Sequence, residues 1–185
     1  MNWTLARWAL EGTAVACLLA AAATDFTDRI VPNRLVVAVM IAGIAIRLMS
    51  ATSIWWLSVS VWAVTLAVLG SLATRNILGW GDVKLIAAVT LLVPPHKVFP
   101  LLISIALAGG VLACLYLGAR RLVRRRQASP LPLANPPRWK ALALLHREGA
   151  RIRANEPMPY AMAVLGGVAL QTAIETVRCW HVTSR

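Results

Sequence analysis

Six apolar runs, each close to the roughly 20 residues a helix needs to cross about 30 Å of hydrocarbon, leave this chain few ways to fold. They extend from about Trp8 to Thr24, Leu35 to Ser50, Ile54 to Thr74, Ile77 to Val93, Val98 to Ala119 and Met158 to Val177. Within lipid a backbone has no water to bond, so each run satisfies its own amides and carbonyls as a helix. With 59% hydrophobic residues and a mean hydropathy of +0.69, the chain reads as an all-α, polytopic membrane bundle of about six transmembrane helices. Its 185 residues suit one membrane-embedded domain over 1–185, without room for a second soluble one. The fourth run is the weakest, because it holds Asp82 and Lys84 and stops at Pro94-Pro95. At about 1.5 Å per residue it just crosses.

Six spans create two sides, and the Lys and Arg count separates them. One side carries fourteen, ten of them between Arg120 and Arg153, whereas the other carries Arg7, Arg47, Lys97, Arg178 and Arg185. The positive-inside rule makes the fourteen-residue side cytoplasmic and leaves both termini outside. Asp25, Asp28 and Asp82 then share the cytoplasmic boundary. Trp3, Trp8, Trp55, Trp56 and Trp180 fall at the outer interface, where aromatic belts gather, while Trp62 lies mid-span and packs. Ala21-Ala22-Ala23 looks like a cleavage site, but one Arg and Glu11 replace the basic cluster of a signal peptide, so the first run is read as a retained span.

Acid is scarce: the chain has only three aspartates, and two short stretches, Asp25 to Asn33 (DFTDRIVPN) and Gly79 to Leu85 (GWGDVKL), hold them all. Ionisable groups at membrane depth are expensive and usually functional. Two carboxylates within reach of each other suit peptide hydrolysis, one ionised to activate water and one protonated to polarise the carbonyl. Gly79 and Gly81 ahead of Asp82 are expected to admit strained backbone angles or a closely approaching substrate backbone. Pro32, suited to a first helical turn, returns the chain to the second span directly after the acid loop, with Asn33 beside it.

These stretches resemble the type IV prepilin peptidases, membrane aspartyl proteases of the GxGD class. Family members place the first aspartate seven residues before the proline of an I-P-N-like turn, and here Asp25 precedes Pro32 by seven, with Val31 for Ile. Gly79, Gly81, Asp82 and Lys84 meet the G-x-G-D-x-K pattern, and Met158-Pro159-Tyr160-Ala161 is a weaker echo of a P-Y-A segment. The resemblance implies catalytic roles for Asp25 and Asp82, supported by Pro32, Asn33, Gly79, Gly81 and Lys84. It also implies a prepilin or pseudopilin precursor as substrate, with a short charged leader ahead of a hydrophobic helix and cut after glycine, in the inner membrane facing the cytoplasm. The short chain without Cys-x-x-Cys pairs is similar to the compact forms of tight-adherence (Flp-type) pili, which puts the methyl-transfer activity of longer members in doubt.

Blander readings stand beside these. Asp25 and Asp82 pair with Arg29 and Lys84 as helix-end carboxylates in one of them, and Asp28 is a solvated or capping residue. Lys84 snorkels to the interface, tunes an aspartate or holds the substrate carbonyl. Gly79 and Gly81 alternatively ease helix packing, the role read for Gly166-Gly167. His96, Cys17, Cys114 and Cys179 lack ligand spacing, so no metal and no organic cofactor is expected. The polar stretch 120–157 reads as a basic cytoplasmic loop: Arg120 to Arg126 meets anionic headgroups, and 138–153 forms an imperfect amphipathic helix. Nucleic acid is not an expected partner despite the +12 charge. The competing function is a non-catalytic scaffold or small proton-linked transporter whose acids bind protons or hold the bundle.

Overall fold

The computed structural model describes residues 3–50, 55–126 and 159–183. Among the described residues six helices form and there is no strand: α1 (Trp3–Asp28), α2 (Asn33–Met49), α3 (Trp55–Thr74), α4 (Trp80–Thr90), α5 (Pro95–Arg126) and α6 (Tyr160–Thr183). Each expected run contains one helix. Four are long and apolar enough to cross a membrane, over Thr4–Asp28, Trp55–Thr74, Pro95–Arg121 and Tyr160–Arg178. The 17 residues of α2 rise about 26 Å, slightly less than the hydrocarbon thickness.

The fourth run is helical over only 11 residues, about 16 Å of rise. Residues ahead of proline avoid helical angles, so Pro94-Pro95 ends it early, and Gly79 precedes it in an extended conformation, φ −70 and ψ 139. What α4 lacks in length it makes up in burial. Val83 and every residue from Leu85 to Leu91 are buried. A helix apolar all round belongs inside a bundle, and Leu85, Ile86 and Val89 meet Leu18 and Ala21 of α1, Val39 of α2, Leu101 of α5 and Val164 of α6 in one core. The outward faces are the reverse of a soluble protein's: Leu5, Val15, Leu19, Ile41, Val64 and Val68 are exposed, as lipid contact requires.

The chain divides into two compact units, Met1–Ala108 with Pro159–Arg185, and Gly109–Met158. Within the first, Gly167 allows α6 to lie against α5: a Cβ there would stand 2.5 Å from the Ile105 Cα, so the packing role expected of this glycine is met. Of the second, α5 continues to Arg126 with Val111, Leu115 and Leu117 exposed. The stretch expected as an amphipathic helix, and most of the basic loop, lie outside the described residues.

Candidate active site

Asp25 stands on the inward stripe of α1, one or two turns beyond Leu18, Ala21 and Ala22, and is 6% exposed. Its Oδ2 accepts a hydrogen bond of 2.8 Å from the Ala161 backbone N–H. That amide belongs to the first turn of α6, where helix N–H groups have no intrahelical partner and the positive end of the dipole favours an anion. Pro159, just ahead, is fully buried and has no N–H to satisfy. Arg29 also acts electrostatically on Asp25. It takes the left-handed conformation, φ 57, and its N–H returns 3.0 Å to the Asp25 carbonyl, closing α1 and turning the chain towards Pro32. Pro32 is the residue before the first helical one, φ −63 and ψ 129, and its carbonyl accepts the Leu35 N–H at 3.0 Å. Asp28 is exposed and accepts from the Thr27 hydroxyl at 3.1 Å, in line with a solvated role.

Asp82 is the third residue of α4, and its side chain folds back over the start of the helix. A Cβ on Gly79 would lie 2.9 Å from the Asp82 Oδ2. A side chain at 79 would therefore push the Asp82 carboxylate aside. The strained backbone expected there is not found: among the described residues no glycine has a positive φ. Around Gly81, which is exposed, a Cβ would meet nothing within 4 Å, so the face beside Asp82 is open.

α1, α4 and α6 bring the two motif stretches together. The Asp25 carboxylate acts electrostatically on Asp82, and the Asp82 carboxylate acts on the Tyr160 phenol. Residues 57 apart in sequence thus share one end of the first unit. Lys84 does not share it. Two residues further along α4 it is turned about 200° around the helix from Asp82, exposed, beside Asn33 in a cavity of about 350 Å³ that Val36, Met40, Trp62 and Leu66 also line. Asn33 and Lys84 are neighbours of that cavity. Among the described residues no group of three metal-ligating side chains gathers.

Sequence reasoning missed two contributors. Tyr160 and the Ala161 amide were visible only as a three-residue echo at the head of the last span, and an N–H donor leaves no trace in a side-chain pattern. Their signal was position: a helix that begins beside a buried acid offers it free amides.

Two carboxylates near each other, one held by a backbone amide and the other beside an open face, are equipped for acid–base chemistry on a peptide. A model of the type IV leader peptidase family matches residues 13–114, a stretch that contains Asp25, the Pro32 turn and the Gly79 to Lys84 motif. No curated protein and no solved structure matches the chain. A match over more than half of these 185 residues, on a chain of apolar helices built to span a membrane, places the protein in that family: it belongs to the type IV leader peptidases.

Proposed function

We propose that this chain, as one peptidase domain over 1–185, removes the leader of type IV, Flp-like prepilins at the cytoplasmic face of the inner membrane, with Asp25 and Asp82 as the catalytic pair. The observation that carries the reading is that Asp25, at the end of α1, and Asp82, at the start of α4, both lie beside the head of α6, where the Ala161 amide donates to Asp25. One of them, ionised, takes a proton from water as its oxygen attacks the scissile carbonyl carbon; the other, protonated, gives its proton to the carbonyl oxygen. As the tetrahedral intermediate collapses and the C–N bond breaks, the first carboxyl gives its proton to the leaving amine and the second takes one back from a hydroxyl of the intermediate, so both groups return to their starting states. No cofactor takes part.

The amide of Ala161 holds Asp25 in place, so its carboxyl group stays oriented while Asp82 adjusts. The open side at Gly81 suits passage of an extended substrate segment close to Asp82. Arg120 to Arg126 fits a lipid-facing role at the anionic leaflet.

Co-expression with a Flp-type prepilin, with leader removal followed by gel shift at matched membrane levels, tests this against the scaffold reading. Wild type converts the precursor, while Asp25→Asn and Asp82→Asn lose about 100-fold or more, the usual contribution of a positioned acid or base. Undiminished processing by either variant sinks the assignment.

A further inference from the structure

α4 ends inside the bundle. Its closing residue, Leu91, is 2% exposed, and the last carbonyls of a helix have no partner within it. Buried carbonyls without donors are rarely tolerated. Here both are supplied from one side chain. Arg47, in the last turn of α2, donates from Nε to the Leu91 carbonyl at 3.1 Å and from Nη2 to the Leu92 carbonyl at 2.6 Å. A guanidinium is a planar fork with several donors, so it grips two successive carbonyls where an ammonium would address them as a point.

One turn earlier on the same face of α2, Gly43 is buried against the same end of α4. A Cβ at 43 would lie 2.7 Å from the Leu91 Cβ and 3.0 Å from its carbonyl carbon. α2 thus clasps α4 at two points four residues apart. Arg7 and Glu11 of α1, an ion pair at 2.9 Å, act electrostatically on Arg47. The clasp therefore sits against the start of the helix that carries Asp25 near its other end. From Leu91 back to Asp82 is nine residues of helix, about 14 Å. Short helices do not stretch, so a shift at one end arrives at the other.

Both ends of α4 lead into non-helical chain, residues 75–79 before it and 91–94 after it. We infer that Arg47, fitted through Gly43, is a positioning residue for the peptidase reaction: by fixing the carboxy-terminal end of α4 it sets where Asp82 stands relative to Asp25. It touches neither aspartate, and it acts through the helix. The inference rests on the catalytic reading of Asp25 and Asp82 for its effect on rate, and on the helix contacts alone for its effect on distance.

The test uses the full chain, purified and returned to lipid vesicles, with two readouts. The first is kcat and KM for a prepilin-like precursor. The second, on a separate labelled preparation, is the spin-label distance distribution between Asp28→Cys and Lys84→Cys, both exposed positions, in a chain carrying Cys17→Ser, Cys114→Ser and Cys179→Ser. Arg47→Ala is expected to broaden or shift the distribution and to lower kcat about 100-fold with KM little changed, the loss associated with a misplacement near 1 Å. Arg47→Lys restores part of kcat, since one donor head recovers part of the grip. Gly43→Ala, which forces α4 away while leaving Arg47 present, moves both readouts in the same direction. Glu175→Ala removes a 2.7 Å ion pair to Lys97 and leaves both unchanged.

An unaltered distance distribution in Arg47→Ala and Gly43→Ala overturns the inference, as does a wild-type kcat in both. Should Arg47→Ala fail to fold, Arg47→Lys and Gly43→Ala decide in its place. A wild-type chain that cuts no precursor refutes the proposed function instead, and the distance readout then judges Arg47 by itself.

Discussion

Gly79→Ala separates what the protein needs to fold from what it needs to react. Gly79 has φ −70 and ψ 139, angles that alanine adopts freely, so the backbone is not strained by the change. Restricting the unfolded chain at such a position usually stabilises by about 0.4–1 kcal/mol. The whole penalty falls on one atom. The new Cβ would stand 2.9 Å from the Asp82 Oδ2, and ordinary contact begins at 3.4 Å, so the carboxylate moves by about half an ångström. The Asp82 side chain can swing to relieve this at small cost to the fold. A misplacement of 1 Å in a reacting group costs about 100-fold, so half of that predicts a loss of about tenfold.

Initial rates of precursor cleavage in vesicles, taken with a thermal unfolding curve on the same preparation, check both halves. Gly79→Ala should cut about one tenth as fast and melt no lower than wild type. Gly81→Ala supplies the contrast, because its Cβ meets nothing within 4 Å and the free chain is undisturbed. Any loss there reports on the substrate's path. Full activity in Gly79→Ala refutes the placement of Asp82. A fall in melting temperature that accounts for the lost rate refutes the claim that the glycine serves the carboxylate alone.

Gly167→Ala should behave in the opposite way, since its Cβ would lie 2.5 Å from the Ile105 Cα and 2.6 Å from its N, and backbone cannot swing aside. Overpacking of that kind costs about 1–3 kcal/mol, read as a lower melting temperature with activity lost in proportion to folded protein. Glu175→Ala, which breaks the part-exposed pair with Lys97 and the 3.2 Å hydrogen bond from Gln171, should cost no more than about 1 kcal/mol in the same melt.

The helices were legible because lipid enforces one rule on every segment, and each of the six apolar runs holds one; only four are long and apolar enough to cross, and the 11 residues of α4, expected to span, fall short. Their ends were less so. α1 and α5 extend beyond their apolar runs, to Asp28 and Arg126, because polar residues continue a helix as readily as apolar ones. α4 stops at Thr90, short of the apolar Leu91 to Val93, because Pro94-Pro95 acts locally and hydropathy does not register it. Alternation of the spans put Asp25 and Asp82 at one boundary, and the packing of α1, α4 and α6 brings their two stretches to one end of the first unit. Of the reasons offered for glycine at 79, strained backbone is not met, and the nearest atom is a side chain three residues away, which a sequence pattern does not show. Arg47 was read only as one of the few charges on its side. Nothing in its neighbours announces that a helix will end beside it, at Leu91, 44 residues later.

The two ends of the first unit treat charge differently, and the difference has a measurable consequence. At one end, opposite charges meet: Arg7 with Glu11 at 2.9 Å, and Lys97 with Glu175 at 2.7 Å. At the other, two carboxyl groups, the buried Asp25 and the half-buried Asp82, act on each other electrostatically. Natural sequences depart from charge complementarity chiefly where function requires it, and stability is surrendered there. Removing one of the two carboxyl groups should return some of it. Asp82→Asn keeps the shape of the side chain, removes the cost of burying an ionisable group beside Asp25 and is expected to raise stability by about 0.5–2 kcal/mol while ending catalysis. Asp25→Asn removes the same neighbour but weakens the bond that the Ala161 amide makes to its oxygen, so it gains less. A melt in which Asp82→Asn falls below wild type, or below Asp25→Asn, would show that the pair is a structural contact, and the argument from misplaced charge would fail with it.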